Sequence, residues 1–218
     1  MTKLLSTKVL SSKNHKKISD SSIKVSDYNA IKIEKIDFNV SQRIENAIFT
    51  SKNSVKAILN KKLEIKNCYC VGEKTKSLLL KNGKKVIKSE ENAQKLADFI
   101  VKSLKNDIFV FFCGNMKRDE LPKILTKNDI KFSVVEVYKT SLIYKKIDEA
   151  FNGILFFSPS AVRSYCYYNK IEDETLFTIG QTTTNEAKTF SNKIITSDIS
   201  SIDQVVDNAI KYFTYDKK

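Results

Sequence analysis

The chain of 218 residues contains one histidine, four cysteines, five glycines, two prolines and no tryptophan. Most of these scarcities exclude something. A histidine-based catalytic pair would have to use His15, which lies in a polar stretch that offers it no evident role. The cysteines are Cys68, Cys70, Cys113 and Cys166. Three fall in or beside apolar runs that read as strands, and one falls in a predicted helix. With no secretion signal, they read as buried free thiols in a reducing cytosol. Cys68 and Cys70 are separated by one residue with no histidine nearby, which argues against a zinc site, and no metal is expected. No apolar run reaches the roughly eighteen residues that would suggest a membrane span. The segment from Met1 to Lys8 has no apolar core of signal-peptide length. A cytoplasmic protein without a membrane partner is therefore expected.

Glycine-rich phosphate loops of the GxGxxG type are absent, as are paired catalytic carboxylates, a Cys/His pair and the clustered strand-end aspartates of a phosphoacceptor domain. Charge is present in excess of one sign: 38 Lys and Arg against 25 Asp and Glu give +13. The lysines are scattered, and no nucleic-acid recognition motif is visible. The charge fits a solvated lysine surface, a partner with many negative charges, or both.

What is present is a repeat. Three strand–loop–helix blocks run from Asn46 to Leu104. The run Asn46–Thr50 breaks at Ser51 and continues as a helix through Val55, Ile58 and Leu59. The run Cys68–Val71 breaks at Gly72, and a helix follows from Thr75 to Leu80. Lys85–Lys88 is a third strand, after which Ser89 is expected to cap a helix with Leu96, Ala97, Ile100 and Leu104 on one stripe. The blocks return at Gly153–Phe157 with Ser158-Pro159-Ser160, at Phe177–Ile179 with Gly180, and at Lys193–Ile195 before Ser200 and Ser201. Ser51 and Gly72 are 21 positions apart, and Ser158 and Gly180 are 22 apart. Two copies are too few for a solenoid and imply two similar domains.

Between and around the copies lie further strands. Lys3–Leu10 and Ile23–Tyr28 read as strands, separated by a polar stretch that could hold at most a short helix. Ala30–Phe38 alternates like an exposed ribbon. Asp107–Cys113 is the most apolar run, as expected of a central parallel strand covered on both faces. Strands alternating with helices imply parallel sheets with right-handed crossovers. The N-terminal segment supplies two strands before the first copy, and the second copy supplies three before the chain ends. Residues 1–33 and 144–218 are therefore expected to form one discontinuous α/β domain, with 38–137 inserted as the other. Residues 34–37 and 138–143 would be the linker strands. The fold class is α/β, with two similar parallel-sheet, flavodoxin-like domains joined by a two-stranded linker.

Gly72, Gly114 and Gly180 each end a predicted strand just before a helix, where ligands bind open α/β sheets. Thr50, Ser51, Thr75, Asn115, Lys117, Ser158, Ser160, Thr182 and Thr183 fall in these loops. Each hydroxyl or amide can be read alone as a helix N-cap. Together, five hydroxyl- or amide-rich loops on two domains predict a cleft that binds an anion through backbone amides and hydroxyls.

Six short motifs, in order over about residues 46–190, resemble the uroporphyrinogen-III synthase family. They are Ile48-Phe-Thr-Ser51 with Val55, Val71-Gly72 with Thr75, Cys113-Gly-Asn-Met-Lys-Arg118 with Leu121-Pro122, Val137-Tyr-Lys-Thr140, Phe156-Phe-Ser-Pro-Ser160, and Ile179-Gly-Gln-Thr-Thr183. The resemblance implies two α/β domains joined by a two-stranded ladder, one of them discontinuous. It implies a cofactor-free cyclisation of hydroxymethylbilane to uroporphyrinogen III, with inversion of ring D through a spiro intermediate and loss of water. The substrate would be a linear tetrapyrrole with eight carboxylates, handled by a monomer that binds no nucleic acid. Tyr138 matches the family's tyrosine at the interdomain crossing and is the candidate acid; the loop residues named above would bind substrate. The chain departs from the family pattern at its N-terminus. Ser11–Asp27 lacks the expected apolar stripe, and the basic residue after the first strand is matched only by Lys8 or Lys13. A relative that binds a tetrapyrrole or other polyanion without turnover is the alternative; retention of Tyr138 and all five loops argues against it.

Overall fold

The computed structural model describes residues 1–216. The chain divides into two compact units, one made of Met1–Lys32 and Ser141–Lys218, the other of Ile33–Thr140.

The first unit carries a five-stranded sheet. Its strands are β1 (Lys3–Ser6), β2 (Lys24–Asp27), β9 (Gly153–Phe156), β10 (Thr175–Thr178) and β11 (Ile194–Thr196). They lie in the order β11-β10-β9-β1-β2, with every pairing parallel. Helices α1 (Ser12–Asp20) and α8 (Ile202–Lys211) cover one face through Ile18, Val205, Val206 and Ala209. Helices α6 (Pro159–Cys166) and α7 (Gln181–Ala187) cover the other through Ala161, Val162, Tyr165 and Ala187.

The second unit carries six strands. These are β3 (Ile31–Lys35), β4 (Arg43–Phe49), β5 (Glu64–Val71), β6 (Val86–Glu90), β7 (Ile108–Gly114) and β8 (Lys131–Leu142), in the order β3-β8-β7-β4-β5-β6. Helices α2 (Lys52–Ile58) and α3 (Glu73–Lys81) pack Val55, Ile58 and Leu79 on one face, against Phe49 and Phe112. Helices α4 (Ala93–Ser103) and α5 (Glu120–Lys127) pack Leu96, Ile100, Leu121 and Leu125 on the other, against Ile48, Phe109 and Phe111. The apolar run of β7 is thus explained: Phe109 and Phe111 serve one face and Phe112 the other. Phe112 stacks on Phe49 of β4 at 5.4 Å between ring centroids. Each fully buried ring of this kind contributes about 1.5–3 kcal/mol.

Several local expectations are corrected. The helix after β6 is capped by Asn92, whose side-chain oxygen accepts from the Lys95 amide at 2.9 Å; Ser89 lies inside β6. The polar stretch after β1 forms a full helix, α1, with Ser11 as its cap. Ile18 alone drives its apolar side into the core, joined by Leu10 and Ile23 at the flanks. Tertiary burial of three residues suffices where an isolated helix would have no stripe. Strand β1 stops at Ser6, four residues short of the predicted end. Pro122 stands third in α5, inside the first turn, where no intrahelical amide donor is lost.

Candidate active site

In each sheet the chain reverses its winding once. Helix α2 leaves β4 for one face of the second unit, and α5 leaves β7 for the other. β4 and β7 are neighbours, so their carboxyl ends flank a crevice at the topological switch point. In the first unit the equivalent neighbours are β1 and β9, from which α1 and α6 diverge. Thr7 closes the bottom of that crevice: its backbone and side chain both donate to the Leu155 carbonyl, at 3.1 and 2.7 Å.

The crevice of the second unit holds Thr50 and Ser51 after β4, Gly114, Asn115 and Lys117 after β7, and Tyr138 on β8. The register slips between Cys113 and Gly114, so that Gly114 pairs directly with Tyr138. The phenol ring lies over the glycine. A Cβ at Gly114 would be 2.4 Å from Cζ of Tyr138 and 2.5 Å from Cε2. The missing side chain lets the ring cross β7 and hydrogen-bond the side chain of Ser51, which stands after β4. Burial raises the phenol's acid constant above the ordinary value; the Ser51 bond and the more distant Cys113 act in opposite directions on it. Tyr138 is therefore a protonated phenol at neutral pH, half-buried at the crevice.

Other predicted site residues have defined local partners. Ser51 caps α2, accepting the Asn53 amide at 3.1 Å. Asn115 turns its side chain onto Thr140, accepting the backbone N–H at 2.8 Å and donating to the carbonyl at 3.2 Å. It extends the β7–β8 pairing by side-chain mimicry. Lys117 pairs with Glu136 at 3.5 Å. Gly72 has φ +84°, a left-handed conformation that favours glycine, but its amide donates to the Glu90 carbonyl at 2.8 Å. Glu73 occupies the positive end of α3, and Thr75 is buried. These two features make the β5 loop the least anion-receptive of the set.

In the first unit, Ser158 caps α6 by accepting the Ala161 amide at 3.1 Å, and the Arg163 guanidinium donates to Ser160 at 3.4 Å. Gly180 precedes α7 with open space where a Cβ would stand. Thr182 is exposed and Thr183 buried. Sequence reasoning missed Thr184. Its hydroxyl meets Thr178 at 2.5 Å, Thr196 at 2.7 Å and the Gly180 carbonyl at 3.3 Å, tying the Gly180 loop to β10 and β11. Three threonines at strand ends and in one helix turn carry no motif, so only the fold brings them together. The histidine pairs with Asp27 at 2.7 Å, at the end of edge strand β2.

Comparison with known proteins decides the family. The family described as uroporphyrinogen-III synthase HemD matches residues 12–207. The chain belongs to that family. The same architecture occurs in uroporphyrinogen-III synthetase from Helicobacter pylori, with a TM-score of 0.70 at 16% identity over 97% of this chain and 99% of that one. It occurs also in a mutant uroporphyrinogen III synthase from the extremely thermophilic bacterium Thermus thermophilus, with a TM-score of 0.71 at 10% identity over the whole of both chains. The match of the family covers α1, the segment whose sequence departs most from the family pattern. Members of the uroporphyrinogen-III synthase family are cyclising lyases of tetrapyrrole biosynthesis, and that is the activity of this chain. No helix among the described residues is long and apolar enough to cross a membrane.

Proposed function

We propose that the polar strand ends of the two switch-point crevices bind the carboxylates of hydroxymethylbilane and that Tyr138 protonates its departing hydroxyl. The observation that carries this reading is the phenol of Tyr138, protonated by burial and laid across Gly114 at the β4/β7 crevice. Thr50 and Lys117 beside it, and Ser158, Ser160, Gly180 and Thr182 in the first unit, offer donors to an octacarboxylate. Thr75, Asn115 and Thr183 act indirectly, by fixing the loops that carry the donors. The formal charge of +13 raises the local concentration of such a polyanion.

In this reading the electron-rich pyrrole expels the hydroxyl as the phenol proton joins it, so that water leaves and an azafulvene remains. Ring D attacks through its substituted α-carbon to give the spiro intermediate. That intermediate opens and recloses at the free α-carbon of ring D, whose lost proton restores the phenol. Holding the chain so that the substituted carbon is the nearer one is a positioning task. Proton donation adds the general-acid part, about 10²-fold at the low end of its usual range because the pyrrole assists departure. Turnover of Tyr138→Phe tests the assignment. A fall in kcat of about that size with an unchanged unfolding midpoint supports it, and unchanged turnover dismisses it.

A further inference from the structure

Ser51 stands between two partners of different kinds. Its Oγ accepts the Asn53 amide at 3.1 Å as the cap of α2, and its side chain also hydrogen-bonds the Tyr138 phenol. An amide N–H only donates, so Ser51 must accept from Asn53. A hydroxyl has one proton of its own to give. If the phenol donated to Ser51, Oγ would receive two protons and the serine proton would be left without an acceptor in a half-buried place. With Ser51 donating to Oη, both oxygens are satisfied and the phenol proton turns away from β4. The phenol's acidity agrees: burial raises its acid constant, and the Ser51 bond lowers it, the sign of a donor at the phenol oxygen. Gly114 sets the geometry, because a Cβ there would displace the ring that reaches Ser51.

We infer that Ser51 is a positioning residue for the reaction: it donates to the Tyr138 oxygen, aims the phenol proton at the substrate's departing hydroxyl, and holds no substrate carboxylate itself. The same bond stabilises the phenolate left once that proton has gone. The inference rests on Tyr138 being the acid.

The test compares Ser51→Gly, Ser51→Thr, Tyr138→Phe and the Ser51→Gly/Tyr138→Phe double variant. Glycine replaces serine at a helix N-cap with little loss of stability, so Ser51→Gly removes the hydroxyl and keeps the fold. Threonine keeps both the cap and the donor. Steady-state kinetics are read beside the titration of Tyr138 in protein carrying ¹³Cζ-tyrosine, its signal assigned by its absence in Tyr138→Phe. The expected results for Ser51→Gly are a fall in kcat of about tenfold with KM changed less than about twofold, and a Tyr138 that titrates at higher pH. Ser51→Thr restores both, and the double variant is no slower than Tyr138→Phe. A raised KM with kcat kept would make Ser51 a substrate contact and overturn the inference. So would identical titration of Tyr138 in Ser51→Gly and the wild type. In those cases Tyr138→Phe is still slow. A Tyr138→Phe that turns over normally is a different failure, which removes the acid itself and this inference with it.

Discussion

Tyr138 and Gly114 face each other across the β7–β8 pairing so closely that a single methyl at position 114 would stand 2.4 Å from the phenol carbon. The glycine is needed there for the close approach of a side chain. Gly114→Ala therefore tests whether the ring's place matters. The clash falls on the outer end of a side chain, which can swing aside, so the fold survives with a loss below about 1.5 kcal/mol. Activity falls about tenfold or more, because the swung ring leaves Ser51 and the crevice. Denaturant midpoints and kcat measured on the same preparation check both halves.

The pH dependence has a defined sign. Tyr138 acts in its protonated form, and burial places its acid constant above the ordinary phenol value near 10. The alkaline limb of kcat is therefore expected above that value and not in the neutral range. Tyr138→Phe should lower kcat and remove that limb. A limb persisting unchanged in the variant would assign it to another group.

Thr184 joins β10, α7 and β11 through one hydroxyl. Thr184→Val keeps the shape and leaves Thr178 and Thr196 with lost partners, at a cost of about 1–3 kcal/mol. Thr184→Ser should recover most of it. Thermal unfolding of the three proteins measures the effect.

The thiols should be silent. Burial pushes Cys68 and Cys166 up to about 12 and Cys113 up to about 11, and raises Cys70 in the same direction. At about pH 8 the folded protein should react with iodoacetamide or a chromogenic disulfide far more slowly than in denaturant, where all four titrate promptly. Alkylation of the folded protein should leave turnover unchanged.

The strands and helices were legible because their signals are periodic and local: Phe109, Phe111 and Phe112 announce a two-faced central strand, and the Ser51 and Ser158 caps announce helix starts. Helix α1 was hard to read because its driving contact is a single residue, Ile18, whose burial depends on α8 at the far end of the sequence. The cap of α4 was misplaced because Ser89 and Asn92 are both competent capping types, and β6 extends through Ser89 to Glu90. In the candidate site, the residue types were legible and their partners were not. Asn115 looks like a free amide until Thr140 is found beside it, and Gly114 looks like a turn residue until Tyr138 is found above it. Pairings between β7 and β8 depend on a register slip that leaves no mark in composition.

The most direct measurement supplies freshly generated hydroxymethylbilane to the purified protein, oxidises the products and separates the type I and type III isomers. Uncatalysed closure gives type I. The account predicts predominantly type III, formed in proportion to protein, with the type III rate falling in Tyr138→Phe and Gly114→Ala. Type I formed at the rate seen without protein, from a preparation shown to be folded, would contradict it.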